Sequence, residues 1–350
     1  MDYSKPNPKL YNVPWAAADY NGMPYMYLGK SGLKVSKVGL GTWKVGFPET
    51  GDGSRVDEKK ALAIFDRAAE LGVTFWDTAN RYNNASGNSE KIIGEWFRAN
   101  PDERRNIVIA TKMFGGMDGF TPNHSGLSRT NIIASVDASL KRMGLDYIDV
   151  LYFHGYDEER PCEEALAAIE DLIKADKIRY FAVSNFTVDQ LKLYESVRSE
   201  HFSIRSRICA VQNQFNIVQG EAEIRPGVLE YAAKTGISFV AWSPFGEGLL
   251  TGRYQNKGTV GAGDRLFDQD QMDICQNETI MAKIDALSEL SKKVSIPMPE
   301  LVLAYMFTLP GMGPVIPAVS SVAQLESNAH AASIQLDEAI INEIKGILEK

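Results

Sequence analysis

NIVIATKMFGGMDGFTPNHSGLSRTNIIASVDASLKRMGLDYIDVLYFH (residues 106–154) holds one full turn of the chain's rhythm. NIVIATKM (106–113) and DYIDVLYFH (146–154) are β-rich runs of strand length. Between them SRTNIIASVDASLKRMG spaces apolar residues for one face of a helix and stops at a glycine, as a helix C-terminus requires. Two strands joined by a helix belong to a parallel sheet with helices packed outside it. Working outward, the same kind of run recurs upstream as VSKVGLGTW (35–43) and VTFWDTA (73–79). Downstream it recurs as IRYFAVSN (178–185), ICAVQNQF (208–215), ISFVAWSP (237–244) and PVIPAV (314–319), eight runs in all. DEKKALAIFDRAAELG is another helix with a terminal glycine, and no linker rich in Pro, Gly or Ser divides the chain. The pattern predicts an α/β protein, a (β/α)₈ TIM barrel formed as a single domain over 1–350, with a doubly wound open sheet as the alternative.

Two stretches interrupt the rhythm. Residues 1–25 form an N-terminal extension, and YMYLGKSGLKVSKVGL (25–40) reads as a β-hairpin turning near Gly32 and plugging the bottom of the barrel. After the seventh strand, residues 246–277 make a loop too long for a plain connection, a candidate lid.

Bulk properties narrow the function. The 350 residues are 44% hydrophobic and 23% charged, ordinary globular values. A net charge of −8 argues against a nucleic-acid partner, which requires a basic surface. Cys162, Cys209 and Cys275 lie far apart, as in a reducing compartment. The opening MDYSKPNPKLYN is no secretion signal and no apolar run approaches a membrane span, so the expected setting is cytoplasmic. His124, His154, His201 and His330 show no metal-binding spacing, and no GxGxxG follows a strand, so neither a metal nor a Rossmann site is expected.

Active sites of such barrels sit at the C-terminal ends of the strands. There Asp77 ends the second strand, Tyr82 follows in its loop, Lys112 ends the third and His154 ends the fourth. Each alone has an ordinary structural explanation; together they suit delivery of a proton to a carbonyl oxygen as hydride reaches its carbon. An ammonium beside Tyr82 would lower the phenol's pKa, Asp77 would keep Lys112 charged, and His154 would hydrogen-bond the carbonyl oxygen. A Schiff-base role for Lys112 is the competing chemistry, disfavoured by that same counter-ion. Ser184 and Asn185 on the fifth strand and Gln212 on the sixth offer hydrogen bonds to a carboxamide, and Trp242 on the seventh offers a face for a flat ring, together a cradle for a nicotinamide.

These segments resemble the aldo-keto reductase family from about Tyr27 to Asn328: LGKSGLKVSKVGLGTW, DTANRY, ATK, LYFH, AVSNF where the family has GVSNF, and WSPFGEGLLTGRY. The resemblance implies Asp77, Tyr82, Lys112 and His154 as catalytic residues and Ser184, Asn185, Gln212 and Trp242 as the nicotinamide site. It further implies Ser243, Pro244, Gly246, Gly248, Leu249 and Gly252 as the phosphate loop, and reduction of an aldehyde or ketone by NADP(H). In IPAVSSVAQLESN (316–328) the basic residue that usually grips the adenosine 2′-phosphate is missing, leaving Ser320, Ser321, Gln324 and Asn328 to bind it, or NAD(H) in its place. Trp43, Lys44 and Phe114 wall the substrate pocket by the same analogy. The chain ends soon after a terminal helix, so an open pocket for sugar-like or bulky carbonyls is expected. The potassium-channel β-subunits share the opening segment and the GxGLLTG loop, which gives a cofactor-binding regulatory subunit as the alternative.

Overall fold

The computed structural model describes residues 17–117, 119–255, 258 and 260–350. Its strands are β1 (Asp19–Tyr20), β2 (Met23–Tyr27), β3 (Lys34–Ser36), β4 (Leu40–Gly41), β5 (Phe75–Asp77) and β6 (Val108–Met113). They continue as β7 (Ile148–Phe153), β8 (Ile178–Ser184), β9 (Ile208–Asn216), β10 (Gly220–Glu221), β11 (Ser238–Trp242) and β12 (Met312–Ile316). Eight of them run β4-β5-β6-β7-β8-β9-β11-β12 as parallel neighbours. Gly39 N donates to Val315 O at 2.9 Å and Gly41 N to Pro317 O at 3.1 Å, joining the first strand to the last. The result is the (β/α)₈ barrel that the alternation predicts, not an open sheet.

Helices fill the returns, and their ends follow local chemistry. Asp57 caps Glu58–Glu70 and Ser128 caps Arg129–Met143, each side chain accepting an otherwise unpaired backbone N–H. Thr187 and Gln190 form a reciprocal capping box on Val188–His201, and Gly144 ends Arg129–Met143 in the left-handed conformation. The outer layer between strands and helices is one continuous apolar core that includes Trp76, Phe153, Phe181 and Phe239. Among the described residues no helix is long and apolar enough to cross a membrane.

Alternation along each strand decides what faces the barrel axis. Phe75, Ala110, Tyr152, Ala182, Ala210 and Val240 form the inner core, and two residues further on stand Asp77, Lys112, His154, Ser184, Gln212 and Trp242. The candidate site is therefore the next inward layer above a dry plug.

That plug is closed from below by the N-terminal hairpin, whose Leu28 and Val35 join the inner core with no exposed surface. The run 35–43 does not make one strand: Lys34–Ser36 pairs antiparallel with Tyr25–Tyr27, and only Leu40–Gly41 enters the barrel. The turn, residues 28–33, includes Gly32 as expected. Gly29, not Gly32, takes the left-handed conformation (φ 60°), and a Cβ there would lie 2.2 Å from the carbonyl oxygen of Cys209. Glycine is required by the close approach of the hairpin to the barrel floor.

Candidate active site

Lys112, 1% exposed, uses all three ammonium protons: Nζ donates to Asp77 Oδ2 at 2.5 Å, to Tyr82 Oη at 2.8 Å and to Thr78 O at 2.9 Å. Tyr82 Oη in turn donates to Asp77 Oδ2 at 3.3 Å, and Gln212 Nε2 donates to Asp77 Oδ1 at 2.7 Å. The buried carboxylate is thus paired and hydrogen-bonded on both oxygens, the condition for keeping a charge in a barrel interior. The rings of His154 and Tyr82 meet edge to face with centroids 6.0 Å apart.

The protonation states follow from burial first. Burial, then the Asp77 carboxylate, hold the Tyr82 phenol well above its usual range. Lys112 was expected to lower it; burial raises it instead, and the carboxylate that compensates the ammonium adds to the rise by repelling a phenolate. Burial draws the Lys112 amine down against the pull of Asp77. Burial, with the charges of Lys112 and Arg81, draws His154 down to about 3, so its imidazole is neutral at ordinary pH.

Tyr82 is presented by an unusual backbone. Asn83, Asn84 and Ala85 all lie in the left-handed region (φ 57°, 56° and 60°). Asn83 Nδ2 donates to Val45 O, tying the tyrosine loop to the loop after β4. That loop is held in turn by Asp52, which accepts from Phe47 N, Ser54 N and Asn88 Nδ2.

The residues expected around a nicotinamide are linked to the same centre. Ser184 Oγ donates to Gln212 O at 2.8 Å, and Asn185 Nδ2 donates to His154 O at 2.9 Å. Trp242 ends β11 beside them, paired with Gln214 and Ile316. The expected phosphate loop is a run of left-handed backbone at Ser243, Gly246, Glu247, Gly248 and Gly252, with Pro244 inside it and Leu249 buried beneath. Ser320, Ser321 and Gln324 build the N-terminus of Val322–Ala331: Ser321 caps it, and Gln324 Oε1 accepts from Ser320 N at 2.8 Å. Asn328 is buried on the same helix.

At the mouth stand residues with no sequence signal. Arg265, from the long loop after β11, lies over the Trp43 ring at 4.5 Å and pairs with Glu247 at 2.8 Å. Arg55 pairs with Asp268 at 2.7 Å, tying that loop to the one after β4. The loop contains ordered turns at Gly246–Thr251, Arg265–Asp268 and Met272–Gln276. Lys44 adjoins Trp43 in sequence, and the Phe114 ring lies beside Gly155, the residue after His154. The positions of Arg265 and Arg55 come from contacts more than two hundred residues apart, which no local periodicity encodes.

Comparison with known proteins agrees. The model of the aldo/keto reductase family matches residues 37–349. A probable voltage-gated potassium channel subunit beta of Arabidopsis thaliana is 30% identical, covering 93% of this chain and 97% of that protein. Versiconal hemiacetal acetate reductase of Aspergillus parasiticus is 31% identical over 84% of this chain and 88% of its own length. The uncharacterized oxidoreductase YrpG of Bacillus subtilis is 31% identical over 93% and 96%. A match that runs from the first barrel strand to the last helix makes this chain a member of the aldo/keto reductase family, an oxidoreductase of carbonyl groups that works with NAD(P)H.

Proposed function

We propose that the enzyme reduces an aldehyde or ketone to its alcohol with NADP(H), with Tyr82 as the proton donor. The observation that carries this reading is the ammonium of Lys112 set 2.8 Å from the phenol oxygen, in a site that keeps the phenol protonated. A phenol held neutral is ready to donate. Once it has given its proton to the nascent alkoxide, the ammonium stabilises the phenolate left behind. His154, uncharged, offers an N–H to the carbonyl oxygen and fixes its place without adding a competing cation.

When bound, the cofactor supplies the hydride. Ser184, Asn185, Gln212 and Trp242 would hold its nicotinamide. Ser243, Pro244, Gly246, Gly248, Leu249 and Gly252 would hold the pyrophosphate, and Ser320, Ser321, Gln324 and Asn328 the ribose and its 2′-phosphate. The donors fit such a group: Arg265 faces the left-handed run, and a capped helix N-terminus attracts anions. Trp43, Lys44 and Phe114 would bound the substrate.

Tyr82→Phe tests the assignment. The variant is expected to lose about 10² to 10⁴ in kcat while tryptophan quenching by NADPH is nearly unchanged; near wild-type turnover would refute it. The relatives named as potassium channel β-subunits favour a second reading, a cofactor-sensing subunit of slow turnover. Cofactor that co-purifies, with negligible turnover across a carbonyl panel, would favour that one.

A further inference from the structure

Asp77 stands on the second of the barrel's eight strands and Gln212 on the sixth, so the two come from opposite walls. The Gln212 side chain, 1% exposed, crosses the interior, and its Nε2 donates to Asp77 Oδ1 at 2.7 Å. No other hydrogen bond reaches that oxygen among the described residues. The second oxygen, Oδ2, accepts from Lys112 Nζ at 2.5 Å and from the Tyr82 hydroxyl at 3.3 Å.

That division has a physical consequence. Rotation of a carboxylate about its Cβ–Cγ bond is broad and roughly two-fold, so Asp77 alone does not fix where Oδ2 points. An anchor on Oδ1 does. Because a carboxylate only accepts, Gln212 must turn its nitrogen to Asp77, and its Oε1 is left as the acceptor. A carboxamide that served the cofactor alone would keep both ends for it; here the donor end is spent on Asp77. The rest of the expected nicotinamide seat is built on the same residue. Gln212 O accepts from Ser184 Oγ at 2.8 Å and from Asn185 N at 3.1 Å, and Asn185 Nδ2 reaches on to His154 O at 2.9 Å. The seat and the carboxylate thus share one support.

We propose that Gln212 is a positioning residue for proton donation. It holds Asp77 so that Oδ2 serves Lys112 and Tyr82 together, and it links occupancy of the nicotinamide seat to Asp77. The proposal rests on the reductase reading above, which gives Gln212 to the cofactor alone. By reciprocity, what Asp77 does to the seat the seat does to Asp77.

Gln212→Met keeps the length of the side chain and removes its hydrogen bonds. In the full-length enzyme at saturating NADPH, with 4-nitrobenzaldehyde as substrate, kcat is expected to fall about ten- to a hundredfold, the cost of a misplacement of about 1 Å. The KM for the aldehyde should stay within about threefold. A kcat within about threefold of wild type overturns the proposal and leaves Gln212 to the cofactor. If Gln212→Met does not fold, Gln212→Asn, polar but too short to cross the barrel, carries the same expectations.

The link is read without turnover, from NADPH quenching of tryptophan fluorescence in wild type, Asp77→Asn, Gln212→Met and the double variant. The change in NADPH affinity caused by Asp77→Asn should differ at least about threefold between the two backgrounds, since direct electrostatic effects of the lost charge are common to both. Equal changes in both backgrounds overturn the link. If wild type reduces no carbonyl, the reductase reading fails and the positioning of a proton donor with it, while the quenching cycle still decides the link.

Discussion

Removing the ammonium at the centre of the site should reveal how strongly it is coupled to its carboxylate. Lys112 and Asp77 are 1% and 2% exposed and 2.5 Å apart. At an effective dielectric of 20 that separation corresponds to about 7 kcal/mol of attraction, offset by several kcal/mol of lost hydration for each ion. The net worth of the pair is small, but the cost of breaking it is not. Lys112→Met strands a carboxylate still bonded to Gln212, and Asp77→Asn strands an ammonium still bonded to Thr78 O and Tyr82. Each single change should cost about 3–5 kcal/mol. The double variant removes both charges and should fall short of the sum by about 3 kcal/mol. Urea unfolding followed by circular dichroism and by tryptophan fluorescence gives the three values, provided the two transitions coincide. The deficit of Lys112→Met should also shrink as pH falls, because the stranded Asp77 can then take up a proton. Additivity within about 0.5 kcal/mol would refute the buried pair.

Further predictions follow from single features. His154, drawn down to about 3, should show no titration between pH 5 and 8 in ¹⁵N-histidine spectra. Because its folded pKa lies below the unfolded value, its contribution to stability is full above about pH 6.5 and declines as pH falls below that; an imidazole that titrates near 6.5 would contradict this. Gly29→Ala should cost about 2–4 kcal/mol from left-handed strain and collision with the Cys209 carbonyl, read as a lowered urea midpoint. A midpoint equal to wild type would show that the hairpin can withdraw from the barrel floor. Without a basic residue among Ser320, Ser321, Gln324 and Asn328, NADPH should bind less than about 30-fold tighter than NADH, since one charge-assisted bond is worth about 1.5–3 kcal/mol. A preference above about 10³ would mean that a cation elsewhere grips the 2′-phosphate.

What could be read from the sequence was what local order encodes. The order of strand runs placed Asp77, Lys112, His154 and Ser184 at the ends of successive strands and Gln212 within the next, and the structure brings them to one layer of the barrel. Distance in sequence hid the rest. The division of 35–43 depends on pairing with β2, and the turn glycine depends on a carbonyl in β9. The left-handed turn at Asn83, Asn84 and Ala85 contains no glycine to announce it. The direction of the Tyr82 shift required knowing that the phenol is buried and that Asp77 bonds it as well as the amine. Arg265 could not be connected to Trp43 by any spacing.

The hairpin beneath the barrel also sets an order of events during synthesis. Gly29 rests against Cys209 and Ser238, so the floor that receives the hairpin emerges some 180 residues after it does. At about 5–20 residues per second, the hairpin waits roughly 10–40 s for its seat. Throughout that interval Leu28 and Val35, wholly enclosed in the finished barrel, have nothing to enclose them. The hairpin is thus made well before it is secured, and in the interval the nascent chain carries an exposed apolar segment that chaperones or neighbouring chains can capture.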